Sequence, residues 1–135
     1  MKIHILDLVE GARKARGLTV VIDVFRAFSV ACYAFSAGVK EIYTVGDIDL
    51  AYRMKKEHPS YLLMGERNEK RPPGFDIGNS PSMVLKTDVR GKTLVHTTSA
   101  GTQGLVNARG ATEIITGSFV NAAAIVQYIR ERSPN

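Results

Sequence analysis

The segment at residues 18–24, LTVVIDV, constrains the fold more than any other. It is almost unbroken in apolar residues and rich in β-branched ones. A half-exposed strand would alternate apolar and polar residues; this one does not, so it reads as a strand buried on both faces. That environment belongs to a sheet with helices packed against each side. The following residues keep the same rhythm. RAFSVACYAFSAG reads as a helix stopped at Gly38, and residues 41–46, EIYTVG, as a strand. Asp47 can cap a helix over residues 48–57, which His58 and Pro59 end. Residues 61–64 read as a short strand, and a short helix begins near Pro81. Strands at 93–98 and 112–117 alternate with helices at 100–108 and 119–132. Residues 3–8, IHILDL, are also predicted as a strand. The expectation is one α/β domain over residues 1–135, a three-layer αβα fold with a largely parallel or mixed sheet. Right-handed crossovers then bring the strand carboxyl ends to a common edge.

A chain of 135 residues with 44% hydrophobic content has the material for a packed core. Its one cysteine, Cys32, excludes an internal disulfide and reads as a small buried hydrophobe. No stretch reads as a targeting signal or a transmembrane span, so a cytoplasmic protein without membrane contact is expected. Lysine and arginine number 18 against 13 acids, a net charge of +5. There is no arginine-rich tract and no interleaving of aromatic and basic residues. The excess therefore points to a small anionic partner and not to nucleic acid.

Open α/β sheets bind ligands beyond the carboxyl ends of their strands. The unusual polar residues gather at those junctions. Asp23 ends the buried strand, where it needs a partner, a metal or a helix to cap, and Arg26 follows it. The run GERNEKRPPGFDIGNSP at residues 65–81 contains almost nothing that could fill a core. Its middle, residues 68–71, reads as solvated loop. Its ends carry Glu66, Arg67, Asp76, Asn79 and Ser80, with Asn79 or Ser80 as the cap of the helix at Pro81. Thr97-Thr98-Ser99-Ala100-Gly101-Thr102 is a third junction, and Gly117-Ser118 with Asn121 a fourth. Helix N-termini rich in hydroxyls suit either a phosphate or ordinary capping. His96 lies inside a strand and reads as a hydrogen-bonded core residue. No Walker loop and no dinucleotide fingerprint is present, and one cysteine with scattered histidines argues against zinc. The hard ligands at hand are Asp23, Glu66 and Asp76, which suit magnesium.

Five motifs then occur in order: Asp23-Val24-Phe25-Arg26-Ala27, Gly65-Glu66-Arg67, the run Gly74-Phe75-Asp76-Ile77-Gly78-Asn79-Ser80-Pro81, the Thr97–Thr102 turn, and Gly117-Ser118-Phe119-Val120-Asn121-Ala122. In this order they resemble the 2-phosphosulfolactate phosphatase family over nearly the whole chain. The Gly-Phe-Asp-x-Gly-Asn-Ser-Pro run is the most specific. The resemblance implies an αβα fold and a magnesium-dependent phosphatase that converts 2-phospho-3-sulfolactate to 3-sulfolactate and phosphate, a step toward coenzyme M, or acts on a related phosphate monoester. It also implies the N-terminal portion of a longer architecture or a shortened member of the family. On this reading Asp23 and Arg26 are catalytic, and Asp23, Glu66 and Asp76 hold the metal. Arg67, Asn79, Ser80, Thr98, Thr102, Ser118 and Asn121 bind the substrate. Asp23 as nucleophile, as general base or as metal ligand stay open together. The competing expectation is a non-catalytic anion-binding module. An uncapped sheet edge would invite a homo-oligomer.

Overall fold

The computed structural model describes residues 1–133. Residues 1–7 take no regular form, and α1 spans Leu8–Lys14. The chain continues through β1 (Gly17–Ile22), α2 (Ala27–Ser36), β2 (Glu41–Thr44), α3 (Ile48–Glu57), β3 (Leu62–Gly65) and β4 (Ile77–Gly78). Then come α4 (Pro81–Leu85), β5 (Thr93–Thr97), α5 (Gly101–Asn107), β6 (Ala111–Gly117), a 3₁₀ turn (Phe119–Asn121) and α6 (Ala122–Arg132). The expected α/β alternation is present, and every strand pair is parallel. The strands form two sheets, β1-β6 and β2-β5-β3-β4, where the sequence suggested one.

The expected strand at residues 3–8 is not formed. Ile3 and Ile5 are 72% and 88% exposed, so the apolar alternation there has no face to bury against. A helix that the alternation concealed begins at Leu8 instead.

The four-stranded sheet has a core on each face. Val30 and Ala34 of α2 pack with Met64, Ile77, Val84 and Leu94 on one side. Ala51 of α3 packs with Val45, Leu63, Phe75 and Val95 on the other. Leu63 and Met64, or Leu94 and Val95, are sequence neighbours that take opposite faces, as the two-residue period of a strand requires. Each buried Leu, Val, Met or Phe contributes roughly 1.5–3 kcal/mol. His96 lies among them with no exposed surface. Burial lowers its pKa to about 4, so the imidazole is neutral. Both its ring nitrogens lack a partner, so it is a core residue but not the hydrogen-bonded one expected. Cys32 is half-buried, less enclosed than its apolar surroundings in the sequence suggested.

Local signals work as read. Asp47 caps α3, its carboxylate accepting the Asp49 N–H at 2.9 Å. Gly38 ends α2 with φ +91°, a conformation glycine takes without penalty. Ser80 precedes Pro81 at the first turn of α4, although its hydroxyl meets Ser82 and caps nothing.

The segment read as solvated loop is a tight turn. Arg67 and Lys70 exchange backbone hydrogen bonds at 2.9 and 3.1 Å. Asn68 and Glu69 between them have φ of 50° and 65°. Positive φ at both central positions is the geometry that fits a two-residue hairpin, and it favours Asn-Gly. Asn68 suits it; Glu69 is strained. Glu69→Gly is therefore expected to raise stability by about 1 kcal/mol, read as an increase in the denaturation midpoint. A lower midpoint would contradict the strain at Glu69.

Candidate functional site

Asp23 follows β1, and its N–H donates to the Gly117 carbonyl at 3.0 Å, so it extends the β1-β6 ladder by one step. Its carboxyl then meets the first turns of two helices. The start of α5 at Gly101 packs against it beside Ala27 of α2, and the backbone of both residues favours its ionised form. Burial pushes its pKa up, Glu66 pushes the same way through charge, and the backbone of the two residues only partly opposes them. The net direction is upward. The close approach depends on Gly101. A Cβ at that position would lie 2.5 Å from Asp23 Oδ2 and 2.7 Å from the Ala27 Cβ.

Glu66, directly after β3, has the opposite balance. Burial pushes its pKa up, but the donors around it win. Oε1 accepts the Ser99 N–H at 2.6 Å. Oε2 accepts the Ser99 hydroxyl at 3.1 Å and the Glu69 N–H at 2.9 Å. Arg67 adds a favourable charge, and the net direction is downward. Two interacting carboxyls, one from each sheet, are thus driven apart in acidity. Such a split separates a group that moves a proton from one that stays ionised.

The remaining expected residues fall into distinct settings. The Arg26 side chain is exposed and has no hydrogen-bond partner among the described residues. Arg67 turns inward, its guanidinium donating to the carbonyls of Glu66 and Gly46 at 2.8 and 3.1 Å and to Thr97 Oγ1 at 2.6 Å. It ties the ends of β2, β3 and β5 together. Thr98 and Thr102 are buried and bond to each other: each hydroxyl accepts the other's backbone N–H, at 3.1 and 2.9 Å. They fix the start of α5. Ser118 and Asn121 form a capping box, with Asn121 Oδ1 accepting the Ser118 N–H and hydroxyl. Asn79 is buried just after β4, and its Oδ1 has no partner.

The three expected metal-binding carboxylates do not close on one point. Asp76 accepts the Leu63 N–H at 2.8 Å and pairs with Lys55 at 3.5 Å, back along β3 from the edge where Glu66 stands. Its role is to satisfy backbone beside the short strand β4. Among the described residues no three His, Cys, Asp or Glu side chains are grouped to hold a metal ion. Asp23 and Glu66 still fit a divalent ion that takes few protein ligands. A carboxylate offers roughly four acceptor sites. Glu66 uses three of them, so it keeps acceptor capacity, and Asp23 stands at the strand end with its carboxyl only partly enclosed.

Ser99, Gly101 and Gly65 complete the site, though sequence reasoning gave them no role of their own. The signal for Gly101 was its place at the first position of a helix beside an acidic strand end. Nothing in the sequence marked Ser99 among its hydroxyl neighbours.

Comparison with known proteins gives a consistent picture. The sequence profile described as 2-phosphosulpholactate phosphatase matches residues 3–135. A protein named "Probable 2-phosphosulfolactate phosphatase" from Thermotoga petrophila is 43% identical over 113 residues, covering 84% of this chain and 48% of that protein. One of the same name from Carboxydothermus hydrogenoformans is 39% identical over 130 residues, covering 96% and 54%. One from Bacillus subtilis is 36% identical over 118 residues, covering 87% and 52%. The chain spans about half the length of these curated relatives. No helix among the described residues is long and apolar enough to cross a membrane.

Proposed function

Because the chain belongs to the 2-phosphosulpholactate phosphatase family, we propose that it hydrolyses a phosphate monoester at Asp23 and Glu66, with 2-phospho-3-sulfolactate as substrate and 3-sulfolactate and phosphate as products. The observation that carries this reading is a pair of carboxyls at strand carboxyl ends, Asp23 packed against the start of α5 and Glu66 held by Ser99 and Glu69, with surroundings that push their acidities in opposite directions. Phosphoryl transfer asks for positioning and charge stabilisation, together with a group that handles the proton of the attacking water. Asp23, with its raised pKa, suits the proton-handling role. Glu66 is the constant negative charge beside it. Arg26 is free to grip an anion, and its guanidinium matches phosphate or sulfonate in a forked geometry. Arg67 acts from within, holding the strand ends that frame the site.

Magnesium would be held by Asp23 and Glu66, an ion of this kind needing only one or two protein carboxylates. When bound it supplies charge neutralisation at the phosphoryl group and orientation of the water. Asp76 belongs to the scaffold on this reading. A cytoplasmic setting agrees with the reduced Cys32.

Because the chain spans half of its relatives, a phosphate-binding module without turnover is the second reading. Phosphate release from 2-phospho-3-sulfolactate separates the two. The expected result is steady release with magnesium, a fall to background with excess chelator, and recovery when magnesium is restored. Release indifferent to chelator would remove magnesium from the account. Binding of inorganic phosphate with no release under any condition would favour the module.

A further inference from the structure

We propose that Ser99 is a positioning residue that sets where Glu66 stands relative to Asp23; this rests on the phosphatase reading for its kinetic consequence and on hydrogen-bond geometry for its physical content. Ser99 contacts both oxygens of Glu66, through its N–H at 2.6 Å and its hydroxyl at 3.1 Å. A hydroxyl has one proton to give and lone pairs to spare. While donating to Glu66, Ser99 Oγ also accepts the Asn68 N–H at 3.2 Å. The Glu69 N–H completes the arrangement on Glu66 Oε2. One serine therefore joins three things: the carboxylate after β3, the strained turn at residues 67–70, and the turn that leads into α5.

That last connection reaches the other carboxyl. Gly101 lies two residues beyond Ser99 and packs directly against the Asp23 carboxyl, where an added Cβ would stand 2.5 Å from Oδ2. A short path of Glu66, Ser99, Gly101 and Asp23 thus connects the two carboxyls. A carboxylate on a flexible glutamate stem would otherwise sample several rotamers. The clamp from Ser99 and Glu69 fixes it. Ser99 meets both oxygens of Glu66, so the proposed effect runs through Glu66.

The test compares Ser99→Thr with Ser99→Val. The two replacements are nearly equal in shape, but only threonine keeps the hydroxyl. Ser99→Val is expected to lower kcat about 10- to 100-fold with KM little changed, since misplaced second-layer partners act mainly on the transition state. Ser99→Thr is expected to retain most of the wild-type kcat. Amide exchange gives a readout that does not depend on turnover: the Asn68 N–H should exchange faster in Ser99→Val than in Ser99→Thr. Equal kcat and equal exchange in the two variants would overturn the proposal. Wild-type chain that releases no phosphate would count against the phosphatase reading, and the exchange comparison would still decide the clamp.

Discussion

Asp23→Asn is expected to lower kcat for phosphate release by about 10³-fold, within the range that a positioned acid or base contributes. The substitution keeps the size and the site on β1, and it retains one carbonyl oxygen beside Ala27 and Gly101. It removes the group proposed to move a proton and one of the two carboxylates proposed for magnesium. The fold should survive it. Burial and the Glu66 charge both oppose ionisation of Asp23, so an uncharged side chain is no worse accommodated than the native one. The measurement is kcat at saturating substrate with circular dichroism on the same sample. A well-folded variant within tenfold of wild type would displace Asp23 from the centre of the chemistry.

Gly65→Ala is expected to be the most damaging substitution for stability. Gly65 has φ +145°, a region that side chains rarely adopt, and it is the last residue of β3 between β5 and β4. An added Cβ would fall within the envelope of the Thr97 carbonyl oxygen and 2.9 Å from its carbonyl carbon. The obstacle is backbone in a central strand, which cannot step aside. A loss of about 3–4 kcal/mol follows, or roughly 10–15 °C in Tm for a domain of this size. Gly91→Ala is the matched control. Gly91 also has positive φ, at 69°, but nothing lies within 4 Å of its would-be Cβ. It should lose only about 1 kcal/mol. Equal losses at the two positions would show that conformation alone, and not the approach of Thr97, governs Gly65.

The elements of the fold were largely legible because their signals are local. The Asp47 cap, the Gly38 stop and Ser80 before Pro81 each act within a few residues, whereas β1, read as buried on both faces, is only half-buried and ends on an Ile22 that is 70% exposed, because it pairs with β6 alone in a two-stranded sheet. The segment at residues 3–8 misled because alternation describes a strand only where a partner surface exists, and Ile3 and Ile5 have none among the described residues. The division into two sheets was not legible, since register between distant strands is written in packing and not in any one segment. The clustering of polar residues at strand carboxyl ends was legible: Asp23 follows β1, Glu66 and Arg67 follow β3, Thr98 follows β5 and Ser118 follows β6.

What each residue does at that edge was less legible. Thr98 with Thr102, and Ser118 with Asn121, satisfy each other, because a buried helix start must first account for its own N–H groups. Asp76 was grouped with the metal ligands by residue type, yet it serves the Leu63 N–H. Ser99 has the same composition as its neighbours and differs only in facing Glu66. The turn at residues 67–70 lacked glycine, so its positive φ angles were not visible in the sequence.

The central claim is that Asp23 and Glu66 are neighbours with opposed acidity. Side-chain carboxyl ¹³C titration by NMR, on the wild-type chain in metal-free buffer, tests it directly. The prediction is that Asp23 keeps its proton to a pH above its ordinary value of 3.8, while Glu66 loses its proton below its ordinary value of 4.5. Two carboxyls that both titrate at their ordinary values, or that shift in the reverse order, would contradict the account.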